Sequence, residues 1–309
     1  MNNTRPLLTR TLRGNSGRDT LEPETRGLAG VGMRAEHTEL WLAGSECLDG
    51  LRYVEFISEN HIARGGRPSR VASALAENHK VLLHGVSLSI GGTDDLNVEH
   101  LRGLRALADS LDAEVVSDHL CFGGFEGHYG HDLWPLPRTQ ECLEHLVSRV
   151  HYAQELLGRP LALENPSSYI DFVHVDMSEP ALLNELCART GCSILLDVNN
   201  VYVSARNMGW SPEEYILALH PSHVAQYHLA GHSDRGGYLF DDHAHAVPES
   251  VWTLYDVALK HVGPRPLVIE RDENVPDLET LCAEARRADL APSVSRLDGG
   301  YEVHDASVC

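Results

Sequence analysis

Eight short apolar runs, each bounded by turn residues, punctuate the chain: AGVGMR (29–34), YVEFIS (53–58), VLLHGVSLS (81–89), EVVSDH (114–119), LALEN (161–165), SILLDV (193–198), HVAQYHLA (223–230) and PLVIERD (266–272). Runs of this length and composition read as buried strands. Helical periodicity fills the intervals between them. Leu101, Leu104, Ala108 and Leu111 make one apolar stripe, and Leu143, Leu146, Val147, Val150, Ala153 and Leu157 make another. Ser211-Pro212-Glu213-Glu214 predicts a helix start, with a capping serine, proline at the first helical position and a capping-box glutamate. Ser178-Glu179-Pro180 is a weaker form of the same signal. Strand then helix, repeated eight times over about 260 residues, predicts an α/β fold of the (β/α)8 TIM-barrel type. A doubly wound open sheet competes with it, but no GxGxxG follows the first run and the length suits one closed barrel.

Both ends of the chain fall outside this pattern. Residues 1–26 are rich in Arg, Thr and Asn without an amphipathic period, and 291–309 look similar, so both read as disordered tails around a single domain at 27–290. With 309 residues, 42% of them hydrophobic, that domain can bury a large core. The formal net charge of −20 and the lack of a Lys/Arg cluster argue against binding nucleic acid through its phosphates. Seven cysteines, an odd number, show no CxxC spacing. Cys47, Cys187 and Cys282 fall in helix-like stretches, where a free buried thiol is expected. No stretch has the length of a signal peptide core or a membrane span, which reads as a soluble cytoplasmic protein.

A barrel of this type carries its chemistry at the C-terminal ends of its strands. Those ends supply His61 after the second run, His84 in the third, Asp118 in the fourth, Glu164 in the fifth, Asp197 and Asn200 at the sixth, His228 and His232 at the seventh, and Glu270 at the eighth. The loop after the seventh run, within HLAGHSDRGGYLFDDHAHAVPE (228–249), adds Asp241 and His243. Any one of these is as readily a cap or a satisfied polar group as a ligand. Collected on one face of apolar strands, however, carboxylates and imidazoles are costly unless paired or metal-bound. His100, His145, His151 and His261 fall on predicted helices and read as solvent-facing. Imidazoles and carboxylates without thiolates suit Zn, Mn or Fe. Four carboxylates (Glu164, Asp197, Asp241, Glu270) and four imidazoles (His61, His84, His228, His243) are enough for two or three ions, with carboxylates bridging.

The motifs FISENHI, LLHGVSLSIGG, VSDHLCF, HDLWPLPRT, LALENPSSY, LLDVNNVYVSARN, QYHLAGH, DDHAHAVPE and LVIERD together resemble the multinuclear non-heme iron-dependent oxidative enzymes, a family that includes the methanobactin-maturing oxidase. The resemblance spans residues 28 to 288. It implies a TIM barrel with two or three Fe ions in mixed Fe(II)/Fe(III) states and O2 as cosubstrate. It further implies oxidative modification of cysteine residues in a ribosomally synthesised precursor peptide, presented by a small leader-binding partner protein. Carried over position by position, the implied ligands are His61, His84, Glu164, Asp197, His228, Asp241, His243 and Glu270. Asp118, Asn200 and His232 are implied either to bind metal or to orient its ligands. HDLWPLPRT (131–139) reads as a lip of the mouth, with Tyr129 and Trp134 as an apolar wall, or as a structural turn. LSIGG (88–92) offers glycines for approach of a peptide backbone or for a tight turn. A divalent-metal sugar isomerase or an endonuclease-IV-like phosphodiesterase on the same barrel is the alternative, as is a non-catalytic metal-dependent binding protein. An isomerase wants a lysine near its metal, and none stands at these strand ends; a nuclease wants a basic groove.

Overall fold

The computed structural model describes residues 27–62 and 65–289, so the two tails expected to be disordered, with Cys309, lie outside the described residues. Each predicted run forms one strand of a closed parallel barrel: β1 (Ala29–Gly32), β2 (Tyr53–Ile57), β3 (Lys80–Gly85), β4 (Val115–His119), β7 (Ala162–Glu164), β8 (Ser193–Asp197), β9 (Val224–Leu229) and β12 (Leu267–Ile269). Their order around the barrel is β1-β12-β9-β8-β7-β4-β3-β2. The remaining strands form two hairpins beyond strand ends, β5 (Phe122–Phe125) with β6 (His128–Trp134), and β10 (Ser233–Asp234) with β11 (Leu239–Phe240). Helices α1 (Thr38–Leu42) and α2 (Arg67–Ala76) follow β1 and β2, and α9 (Leu278–Asp289) follows β12.

Both apolar stripes are buried against the barrel. Leu101, Leu104 and Ala108 of α3 (Val98–Ser110) are fully covered, as are Leu146, Val150 and Ala153 of α4 (Gln140–Leu157). Both serines act as the caps they were read to be. Ser178 Oγ accepts from Ala181 N at the start of α5 (Glu179–Thr190), and Ser211 Oγ accepts from Glu214 N at the start of α7 (Pro212–Ala218). Between these two helices, α6 (Val198–Met208) follows β8 directly, with Asp197 as its cap. Of the four helical histidines expected to face solvent, only His151 is exposed. His100 is half-buried, while His145 and His261 reach across to the Gly92 and Leu219 carbonyls, because neighbouring loops pack onto those helices.

Most of the apolar core lies between the strands and the helix layer. The barrel interior is filled in layers. A small separate cluster of Tyr53, Leu82 and Val268 makes its apolar floor. Gly30 keeps room for that floor, since a Cβ there would stand 2.6 Å from Tyr53 Cβ. Above the floor the interior turns polar.

Candidate metal centre

Alternation along each strand decides which side chains enter the barrel. Parity with the floor puts Glu55 of β2, His84 of β3, Ser117 and His119 of β4, and Gln226 and His228 of β9 inside. At the rim they meet Glu164 of β7, Asp197 of β8 and Glu270 just past β12. Every one of these residues is buried, with at most 8% of its surface exposed. Register brings them level, since His119 pairs with Glu164 and Asp197 with His228.

Two groups of ligand atoms result, His84–His119–Glu164 and Glu164–Asp197–His228–Glu270, with the atoms of each within 4.8 Å of one another. Glu164 belongs to both. Surrounding hydrogen bonds assign the tautomers. Ser117 Oγ donates to the Leu83 carbonyl and so accepts from His84 Nδ1, 2.9 Å away. His119 Nδ1 donates to the Gly85 carbonyl at 3.1 Å. Both imidazoles therefore turn Nε2 toward Glu164 Oε2, each at 3.2 Å. His228 is held the other way round. Its Nε2 lies 3.0 Å from Glu55 Oε1, and Gln226 fixes that carboxylate by donating to Oε2 at 2.6 Å. His228 Nδ1 then faces Glu270 Oε2 at 3.1 Å and Glu164 Oε1 at 3.4 Å. A carboxylate behind the imidazole fixes the tautomer in the way that metal-ligating histidines require.

The loop after β9 builds the third wall. Asp241 accepts from Asn199 at 2.8 Å and from Ser167 Oγ at 2.7 Å, and its Oδ1 lies 2.8 Å from His243 Nε2. His243 Nδ1 faces Asp272 at 3.2 Å and Glu270 at 3.3 Å, and its backbone sits in the left-handed region at φ 46°. A non-glycine residue held there carries strain that its surroundings must offset. The loop is anchored where it starts. A Cβ at Gly231 would stand 2.3 Å from the His245 carbonyl oxygen and 2.4 Å from that of Ala246, so the returning chain lies directly on the strand exit.

Several buried polar atoms make no well-aligned hydrogen bond, although charged neighbours stand close to most of them: Glu164 Oε2, Asp197 Oδ2, His228 Nδ1, and both ring nitrogens of His243. Buried polar atoms are almost always satisfied, so orphans clustered around one space call for a ligand. The proton balance of the protein alone points the same way. Burial works against the His228 and His243 cations, yet Glu270 for His228 and Asp241 for His243 lead the carboxylates that raise both well above the ordinary imidazole range. Burial likewise acts to raise Glu270, but His228 and then His243 hold it well below the usual carboxylate range. Asp197 is pushed well above that range by burial, with Glu164 adding to it. The pocket is thus an excess of carboxylates competing for positive charge.

The structure brings together His84, Glu164, Asp197, His228, Asp241, His243 and Glu270. Asn200 and His232 stand behind them. Asn200 N donates to Asp197 Oδ1 at 2.6 Å, and Asn200 Oδ1 lies 2.9 Å from Ser167 Oγ. His232 Nδ1 lies 2.7 Å from Asn199 Oδ1, so it holds the amide that holds Asp241. His61 and Asp118 are not at the centre. Past Ile57 the chain enters a 3-10 turn, and His61 packs edge-on to Phe56, which faces the helix layer. Asp118 has the opposite parity to His119 and points out of the barrel, where burial pushes its carboxyl up to about 7. Sequence reasoning passed over His119, Glu55, Asn199 and Asp272. Parity with Ser117 marks His119, and a glutamate inside the apolar run YVEFI marks Glu55.

Above the centre lies a cavity of about 410 Å3, reached by His84, His119, Asn200, Asp241, His243 and Glu270. Tyr169, Phe240 and Asp132 with Leu133 of the HDLWPLPRT segment form part of its wall, so this segment is a lip of the mouth. Trp134 stacks on Phe122 instead, with ring centres 6.4 Å apart, and the side chain of Tyr129 lies outside the described residues. Gly91 of LSIGG serves packing, since a Cβ there would meet Leu136 at 2.3 Å.

Residues 28–292 match the family described as RiPP precursor modification enzyme MbnB/TglH/ChrH. A UPF0276 protein of Caulobacter vibrioides (strain NA1000 / CB15N) is 47% identical over 255 residues, covering 82% of this chain and 90% of that one. A UPF0276 protein of Anaeromyxobacter sp. (strain Fw109-5) is 49% identical over 259 residues, covering 84% and 90%. Among solved structures, an L-ribulose 3-epimerase aligns with a TM-score of 0.57 at 16% identity, over 84% of this chain and 92% of that one. Endonuclease IV from Thermus thermophilus aligns with a TM-score of 0.55 at 19% identity, over 85% and 97%. At such identities the likeness is one of fold.

Proposed function

The chain belongs to the MbnB/TglH/ChrH family of RiPP precursor modification enzymes, and from that premise we propose that it is an O2-dependent multinuclear iron enzyme that oxidises cysteine residues of a ribosomally made precursor peptide. The observation that carries this reading is the set of buried donor atoms without partners around Glu164. Nitrogen and oxygen donors without thiolate suit iron among the transition metals. His84, His119 and Glu164 would hold one ion, and Glu164, Asp197, His228 and Glu270 a second. Asp241 and His243, with Asp272 beside them, would serve a third. The ions would supply a Lewis acid for the peptide thiolate and electrons for O2.

The protein's own residues do the positioning. Glu55 and Ser117 hold the imidazoles of His228 and His84 so that their free nitrogens face the carboxylates. Asn199 and Ser167 each donate to Asp241, fixing it against His243. Tyr169, Tyr238 and Phe240 make an exposed aromatic cluster at the mouth, where a peptide segment can lie while its cysteine enters the cavity. A separate small partner protein would present the leader of that peptide. The isomerase alternative is disfavoured by the placement of the two lysines of the sequence. Lys80 opens β3 at the end of the barrel opposite the mouth, and Lys260 lies in α8 (Glu249–Val262).

The test is elemental analysis and Mössbauer spectroscopy on protein purified anaerobically from iron-supplemented cells, read beside O2 uptake with a cysteine-containing peptide from a neighbouring reading frame. Two or three irons per chain with a coupled ferrous–ferric component, and peptide-dependent O2 uptake, are expected. Zinc or manganese alone after iron supplementation, without O2 uptake, would overturn the proposal in favour of a hydrolase or isomerase.

A further inference from the structure

A third group of ligand atoms lies outside the barrel and shares no residue with the mouth. Glu59 follows β2 in a 3-10 turn, His100 sits in the first turn of α3, and Asp118 points outward from β4. One ligand atom from each falls within 4.8 Å of the others. Glu59 is oriented in advance, because its Oε1 accepts from Val86 N and Ser87 N at 3.0 Å each and from Ser87 Oγ at 2.6 Å. That leaves Oε2 buried without a hydrogen-bond partner. His100 Nε2 is buried and unpartnered as well. Asp118 is fully covered, and each of its oxygens takes one backbone amide, Oδ1 that of His119 at 2.8 Å and Oδ2 that of Leu88 at 3.2 Å. Each oxygen keeps a second lone pair. The close fit of Gly85, where a Cβ would stand 2.4 Å from Asp118 Oδ2, keeps the carboxylate in place.

We propose that Glu59, His100 and Asp118 bind one divalent metal ion of the zinc, manganese or ferrous class at a separate site outside the barrel mouth. A bare carboxylate oxygen and a bare imidazole nitrogen buried beside a second carboxylate need a positive charge between them. One nitrogen and two oxygens leave the rest of the coordination sphere to water. The ion would tie the chain leaving β2 to α3 and to the end of β4. Asp118 binds the amide of His119, so the same ion would also steady that neighbouring imidazole.

The site is tested on the full chain by metal stoichiometry. His100→Ala and Glu59→Gln are each compared with the unaltered protein after anaerobic purification and equilibration with excess Co(II), followed by desalting. Each variant is expected to hold one equivalent less Co(II), with its far-UV circular dichroism unchanged and the remaining ions still bound. Equal stoichiometry in unaltered protein and variant would overturn the proposal and leave a shared proton as the link. Where the unaltered protein holds more than one equivalent, loss of all of them in a variant would overturn the claim that the site is separate. Should His100→Ala fail to fold, the near-isosteric Glu59→Gln decides. Neither outcome depends on whether the mouth holds iron, so failure here leaves the reading of the mouth standing.

Discussion

Glu164 sends one oxygen toward His84 and His119 and the other toward His228, which makes it the residue on which both groups of the mouth depend. Glu164→Ala is expected to lose the ions of both groups, whereas His119→Ala loses only that of the first; metal analysis of the two variants side by side checks this. Glu55→Gln keeps the shape but weakens the acceptor behind His228. Loss of such an orienting group is expected to weaken metal binding about 10- to 100-fold while the barrel stays folded, as a chelator-competition titration would read. At this scale the sequence was legible where a polar residue ends an apolar run, as at Glu164, Asp197 and Glu270. It was less legible where two polar candidates lie close together. His61 and His119 look equivalent along the chain, and only strand parity and the 3-10 turn after Ile57 separate them.

At the level of elements, all eight barrel strands were readable because each is apolar and ends at turn residues. The β5–β6 hairpin was not, since FGGF and HYGHDLW lack an apolar alternation and leave the first strand half-exposed. β10 and β11 are two residues each, too short for any periodic signal. Helix starts were readable through their caps. Ser211→Ala should cost about 1 kcal/mol, measured as a shift in the denaturation midpoint at unchanged slope. Gly231→Ala should cost more, roughly 1–3 kcal/mol, because overpacking must push the His245–Ala246 backbone off the strand exit. Its metal analysis should also show loss of the ion proposed for Asp241 and His243.

For the whole molecule, a formal charge of −20 is concentrated in part where carboxylates crowd one end of a barrel. On the proposed reading, bound cations would relieve that crowding and link metal binding to folding. Stripping the metal anaerobically with a chelator should lower the melting temperature, and restoring the ion should raise it again. An ion at 100 times its dissociation constant contributes about 2.7 kcal/mol to the folded state. An unchanged melting curve would mean that protons alone balance the pocket. The approach to the cavity is asymmetric too. Where the chain returns over Gly231, carbonyl oxygens rest on the strand exit with no room for a methyl group between them. That side of the entrance is a fixed doorpost, hung with Asp241 and His243. Asp132 and Leu133, on the β5–β6 hairpin, line another part of the same cavity. A guest entering the cavity would be measured against that doorpost.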